Sequence, residues 1–171
     1  MKEICYFMHE RKLIRLSGFD YSAKRYYFFT ICVKSHSCSF GRIYDGEMIL
    51  SRQGNIAFDQ WRWLGDQYPF IELGSFVIMP DHVHGIIQID PRYYIKISVI
   101  GPYPKIKPLP ELIGAYKTTV SKKIHLSGDV FFNWQKSYHE HIIRSTRELN
   151  IINKYITENP QKWKMHGFNK M

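Results

Sequence analysis

The stretch Phe76-Val-Ile-Met-Pro-Asp-His-Val-His-Gly-Ile-Ile-Gln-Ile89 sets two histidines one valine apart inside an apolar run. Side chains of a β-strand alternate between its faces, so His82 and His84 project together while Val83 projects opposite. Two neutral imidazoles side by side on a rigid strand can grip one divalent ion between them. An ion held there would polarise a phosphate ester bound to it. Such a centre still needs a further ligand and a reacting group. Tyr155 and Asn159 stand four residues apart in a helix-forming segment and therefore share a face. Should that helix cross the sheet beside the histidines, the Asn159 amide oxygen can complete the metal site. The Tyr155 phenol can then act as nucleophile.

Each feature also has a plainer reading. His-x-His on a half-exposed strand arises by chance. A tyrosine beside Ile152 and Ile156 is ordinarily a packed ring with a wet hydroxyl, and asparagine before proline is an ordinary helix end. Residue types and spacing leave both readings open, including a non-catalytic single-stranded nucleic-acid-binding domain.

The elements that would position these groups are legible in outline. Arg25-Tyr-Tyr-Phe-Phe-Thr-Ile-Cys-Val33 is β-branched and aromatic, a strand. Asp45-Gly46 between short apolar segments predicts a tight hairpin. Ser51 caps a helix carrying Ile56, Trp61 and Leu64, and two strands follow, 72–79 and 82–90, joined at Pro80-Asp81. Residues 91–109, rich in proline, read as a loop. Pro110 suits the first turn of a helix through Leu112, Tyr116, Val120 and Ile124. Segments 131–134 and 139–144 read as short extended pieces. Ser145-Thr-Arg-Glu148 is a capping box that starts a last helix ending near Asn159. The pattern predicts an α+β fold, one antiparallel sheet with helices packed on one face. Residues 1–24 read as a basic N-terminal arm and 25–171 as a single domain.

A 171-residue chain can bury a substantial core, and 44% hydrophobic content with 16% aromatics excludes a disordered chain. No apolar stretch approaches the roughly 18–20 residues that cross a bilayer, so no membrane partner is expected. Cys5, Cys32 and Cys38 are odd in number, which suits reduced thiols in the cytoplasm, and Cys32, His36 and Cys38 amount to only half a zinc site. The formal charge of +9 points to a polyanion, with nucleic acid first in line. Cations interleaved with aromatics suit a single strand, whose backbone needs charge and whose bases stack. Arg11, Arg15, Lys117, Lys122 and Lys123 are the candidate phosphate contacts. Neither a phosphate-binding glycine loop nor a serine-hydrolase elbow is present.

Pro80-Asp-His-Val-His-Gly-Ile-Ile87 resembles the HUH motif of the single-tyrosine transposases, and most closely their REP-associated branch. The likeness extends to Ile14-Arg-Leu-Ser-Gly-Phe-Asp-Tyr21, Tyr27-Phe-Phe-Thr-Ile-Cys32, Phe40-Gly-Arg-Ile43 and Gly114-Ala-Tyr-Lys-Thr-Thr-Val-Ser-Lys122. It closes on Trp134-Gln-Lys-Ser-Tyr-His-Glu-His-Ile-Ile-Arg144 and Tyr155-Ile-Thr-Glu-Asn-Pro160, so it spans roughly residues 11 to 165. The resemblance implies a ferredoxin-like fold, His82, His84 and Asn159 as ligands of magnesium or manganese, and Tyr155 as nucleophile. It also implies cleavage and rejoining of single-stranded DNA beside hairpin or palindromic sequences, through a 5′-phosphotyrosine, by a monomer or homodimer. Asp81 stands where asparagine or glutamate is commoner, and His141 matches a family position without an assigned role.

Overall fold

A computed structural model of the chain describes residues 18–92 and 105–163. Arg11 and Arg15, with most of the basic arm, lie outside the described residues, as does most of the expected 91–109 loop.

Strand β1 (Arg25–Cys32) leads through a turn into the hairpin β2 (Gly41–Tyr44) and β3 (Glu47–Leu50). Asp45 and Gly46 between those strands have φ of 50° and 76°, the left-handed pair that a two-residue hairpin turn needs. Helix α1 (Arg52–Gln67) starts at Ser51, whose hydroxyl accepts the Gly54 N–H. Strands β4 (Ile71–Ile78) and β5 (His82–Ile89) follow, then α2 (Leu109–Leu126), β6 (His139–Ile143), α3 (Thr146–Thr157) and a single turn, α4 (Asn159–Lys162). Helix α3 therefore stops at Thr157, with Glu158 as its cap, and Pro160 belongs to the first turn of a new one, where its missing N–H is harmless.

The sheet runs β4-β5-β1-β6 with every neighbouring pair antiparallel. Helices link β1 to β4 and β5 to β6, so two interleaved strand-helix-strand units build the expected ferredoxin-like α+β fold. Alternation along the two central strands then sorts the molecule into layers. Tyr27, Phe29 and Ile31 of β1 and Val83, Ile87 and Ile89 of β5 face α1 and α2, where Ala57, Trp61, Leu64, Leu112, Tyr116 and Val120 complete the main core. Gly85 sits in that layer because a Cβ there would stand 2.6 Å from the Phe29 ring. A bulge at Gly74 and Ser75 shifts β4 by one residue and keeps Phe76 in the same layer.

The opposite face carries Phe28, Ile86 and Ile143, and α3 lies across it with Ile156 buried among them. The helix bearing Tyr155 thus packs on the face to which His82 and His84 project. Among the described residues no helix is long and apolar enough to cross a membrane.

Candidate active site

His82 and His84 occupy the first turn of pleat in β5, opposite Cys32 and Thr30 of β1. Both rings are buried, at 2% and 1% exposure, although they lie on the face away from the main core. Their Nε2 atoms stand 3.0 Å apart. The far nitrogen of each ring is held. His82 Nδ1 meets Asp81 Oδ1 at 2.5 Å, and His84 Nδ1 meets Thr30 Oγ1 at 2.7 Å. In the tautomers that donate Nδ1–H to that carboxylate and that hydroxyl, both Nε2 lone pairs point at one another. Two facing lone pairs at that distance repel unless a cation lies between or beside them. Ligand atoms ~2.1 Å from one ion and at right angles about it are about 3.0 Å apart, so the pair fits a divalent metal. Metal-ligating imidazoles usually give their other N–H to an oxygen, often a carboxylate, and Asp81 and Thr30 stand in those places.

The electrostatics agree. Burial, reinforced by His82 and His139 nearby, holds His84 well below the usual histidine range, so the ring stays neutral and its lone pair available. Burial raises the Asp81 carboxyl, but hydrogen bonds and charge from His82 and His36 outweigh it and the net shift is downward. Asp81 is therefore an anion at neutral pH.

Tyr155 arrives from α3. Its hydroxyl lies 3.3 Å from His84 Nε2, its ring 5.3 Å from the His84 ring and 6.2 Å from Phe28. The side chain is half-buried, so one edge packs and the oxygen points into the site. Tyrosine and histidines meet within one chain. Trp163, just past α4, brings its ring to 5.7 Å from that of His82. Asn159 lies in the chain between these two contacts, half-buried, but among the described residues no hydrogen bond joins it to either imidazole. Among the described residues there is also no group of three His, Cys, Asp or Glu side chains placed to hold one metal ion. A metal here would need a neutral oxygen as its third protein ligand, the part for which Asn159 is suited.

The cations named from sequence divide. Lys117 is turned inward: its ammonium donates to the Gln135 carbonyl at 2.7 Å, and burial lowers its pKa despite the opposing Cys32 charge. Lys122 is exposed and lines an open groove of about 610 Å³ with Lys136, His125, Trp134 and Gln135. Lys123 is exposed on α2 outside that groove. His141 gains a structural part: its Nε2 meets Glu148 Oε1 at 2.6 Å, while Glu148 Oε2 accepts the Arg144 N–H and Ser145 Oγ accepts the Glu148 N–H. The capping box thereby ties β6 to the start of the tyrosine helix. Cys32 is buried, Cys38 exposed, and His36 faces Asp81, so the half zinc site does not assemble.

Sequence reasoning missed Thr30, His139 and the orienting part of Asp81. Asp81 had a signal, its place beside His82 in the motif. Thr30 and His139 join the site only through the register of β1 with β5 and β6.

No protein-family model matches the chain. Across 91% of its length it is 32% identical to an uncharacterized protein of Haemophilus influenzae, covering 91% of that protein. A second protein of that organism, described as "Putative REP-associated tyrosine transposase", is 29% identical over 87% of this chain and 76% of its own length. A solved REP-associated tyrosine transposase bound to a REP hairpin matches 91% of this chain and 74% of its own at a TM-score of 0.59 and 20% identity. The fold is thus that of a tyrosine transposase. The chain is similar to REP-associated tyrosine transposases in both sequence and fold.

Proposed function

We propose that the chain is a transposase that cleaves and rejoins single-stranded DNA beside hairpin sequences, with Tyr155 as nucleophile. His82, His84 and Asn159 hold Mg²⁺ or Mn²⁺, and the bound ion supplies charge neutralisation at a phosphate oxygen. In the cleavage step the Tyr155 oxygen forms a bond to phosphorus while the bond from phosphorus to the 3′ oxygen breaks. The phenol proton is lost to solvent, and the departing oxygen takes up a proton as a free 3′-hydroxyl. The other strand end remains as a 5′-phosphotyrosine. Rejoining reverses the exchange: a 3′-hydroxyl attacks phosphorus and the phenol leaves. One ester replaces another throughout, so no ATP is consumed.

The observation that carries this reading is the 3.3 Å approach of the Tyr155 hydroxyl to His84 Nε2. It sets the nucleophile beside the atoms suited to hold the ion. A free phenol ionises near pH ~10, so a cation beside it and its substrate is what makes attack feasible at neutral pH.

Incubation of the full chain with a hairpin-bearing oligonucleotide and Mn²⁺ tests it. The expected product is a covalent adduct that survives denaturation, lost in Tyr155→Phe and in His84→Ala, while Tyr155→Phe still binds the oligonucleotide. Hairpin binding without adduct in the wild type would mean a non-catalytic nucleic-acid binder. Strand cleavage that persists in Tyr155→Phe would mean metal-activated water as the nucleophile.

A further inference from the structure

The turn after β1 holds an arrangement that the reading above leaves unused. Ser35 and His36 have φ of 56° and 51°, two successive non-glycine residues in the left-handed region. L-residues avoid that region unless their surroundings impose it, and such outliers gather where geometry matters to function. Here the surroundings are specific. Lys34 N donates to the Asn133 carbonyl at 2.8 Å and His36 N to the Val33 carbonyl at 3.1 Å. On either side of the turn, Val33 N donates to the Asp81 carbonyl at 2.7 Å and Phe40 N to the Pro80 carbonyl at 3.0 Å. Both flanks of the turn are therefore clamped to the dipeptide that precedes His82.

The outcome is a fork. Asp81 Oδ2 takes His36 Nδ1 at 2.7 Å, while Oδ1 takes His82 Nδ1. On its other side, His36 Nε2 stands 3.2 Å from Gln135 Nε2. The donors run in one direction along this line. The Gln135 amide N–H donates to His36 Nε2, His36 Nδ1–H donates to Asp81, and His82 Nδ1–H donates to the other oxygen of the same carboxylate. In this arrangement the His82 Nε2 lone pair is left facing His84. A carboxylate bonded through one oxygen swings about its Cβ–Cγ bond. Bonded through both, it is fixed.

We propose that His36 is a positioning residue for the metal centre: by gripping Asp81 Oδ2 it locks the carboxylate that aims His82. The inference rests on the reading of His82 and His84 as metal ligands. It differs from a bland surface pair in a way that can be measured, because the His36 ring is 46% exposed and an exposed pair of this kind adds little to folding.

Mn²⁺ binding to the full-length chain, followed by the electron paramagnetic resonance signal of free Mn²⁺, tests it without DNA or turnover. His36→Ala should weaken binding about tenfold, at the lower end of what loss of a supporting partner costs a metal site. His36→Asn should recover most of that loss, because its amide N–H stands where the imidazole Nδ1–H stood. On an Asp81→Ala background His36→Ala should produce no further loss, since the fork through which it acts is gone. Unchanged Mn²⁺ affinity in His36→Ala, with or without a lower unfolding temperature, overturns the proposal, as does an undiminished loss on the Asp81→Ala background. Wild-type protein that fails to bind Mn²⁺ overturns the metal reading and this one together, whereas a binding wild type with an unaffected His36→Ala overturns this one alone.

Discussion

An imidazole is aimed by its other nitrogen, and at the residue scale the site depends on two such bonds. His84 is the more demanding case, being fully surrounded and kept neutral by burial. A neutral imidazole carries one proton, and for Nε2 to bind a metal that proton must sit on Nδ1, where Thr30 Oγ1, 2.7 Å away, can accept it. Thr30→Val keeps the shape and removes the acceptor. A buried Nδ1–H would then lack a partner, at about 1–3 kcal/mol, or the proton would move to Nε2 and occupy the lone pair proposed to bind the metal. Thr30→Val should therefore lower stability by roughly that amount and weaken Mn²⁺ binding by about 10- to 100-fold. Chemical denaturation and Mn²⁺ titration would measure the two effects side by side. Intact affinity would show that the hydroxyl merely packs.

At the element scale, what matters is how α3 is held against the sheet, because the helix carries Tyr155, the proposed nucleophile. Ile156, 1% exposed, is its one buried residue and fills the space between Phe28, Ile86 and Ile143. Tyr155 is next to it in the chain, so the anchor and the reactive group are set by the same turn. Ile156→Ala should cost about 2–5 kcal/mol by cavity formation. More tellingly, it should reduce adduct formation far more than hairpin binding, since the phenol loses its fixed position while the lysines do not. Hydrogen exchange should show faster opening of α3 amides than of α1 amides. Equal losses of adduct and binding would tie both to global unfolding instead.

The same elements show what the sequence could and could not disclose. Alternation placed His82 and His84 together, Ser51 and Ser145 marked helix starts, and Asp45-Gly46 marked the hairpin, because each is decided by neighbours a few residues away. Thr30 is 54 residues from His84 and His36 is 45 from Asp81, so those pairs exist only once the β1–β5 register is formed. The left-handed turn at Ser35 and His36 has no glycine or asparagine to announce it. The helix ends close to Asn159 as the pattern predicts, but nothing local announces the new turn that follows, because Pro160 can end one helix or begin the next.

Over the whole molecule the question is where the charge of +9 is presented. Two described grooves are basic: one lined by Lys122, Lys136 and His125, the other by Lys24, Arg25 and Arg144. The first reaches the site more directly, since Gln135 in its wall contacts His36 and His36 contacts Asp81. A strand leaving the scissile phosphate along that wall would meet exposed ammonium groups, and Phe131, 89% exposed nearby in the chain, offers a ring for a base. Binding of a single-stranded oligonucleotide should then weaken linearly in the logarithm of salt concentration. Lys122→Ala and Lys136→Ala should each reduce that slope by about 0.7, one phosphate contact on a single strand. Lys117→Ala should behave differently. Its ammonium is already bonded to the Gln135 carbonyl, so removing it should loosen the groove wall and lower stability without a full unit of slope. If the slope survives both exposed-lysine substitutions and falls instead with Arg25→Ala and Arg144→Ala, the strand runs along the opposite groove, past the start of the tyrosine helix.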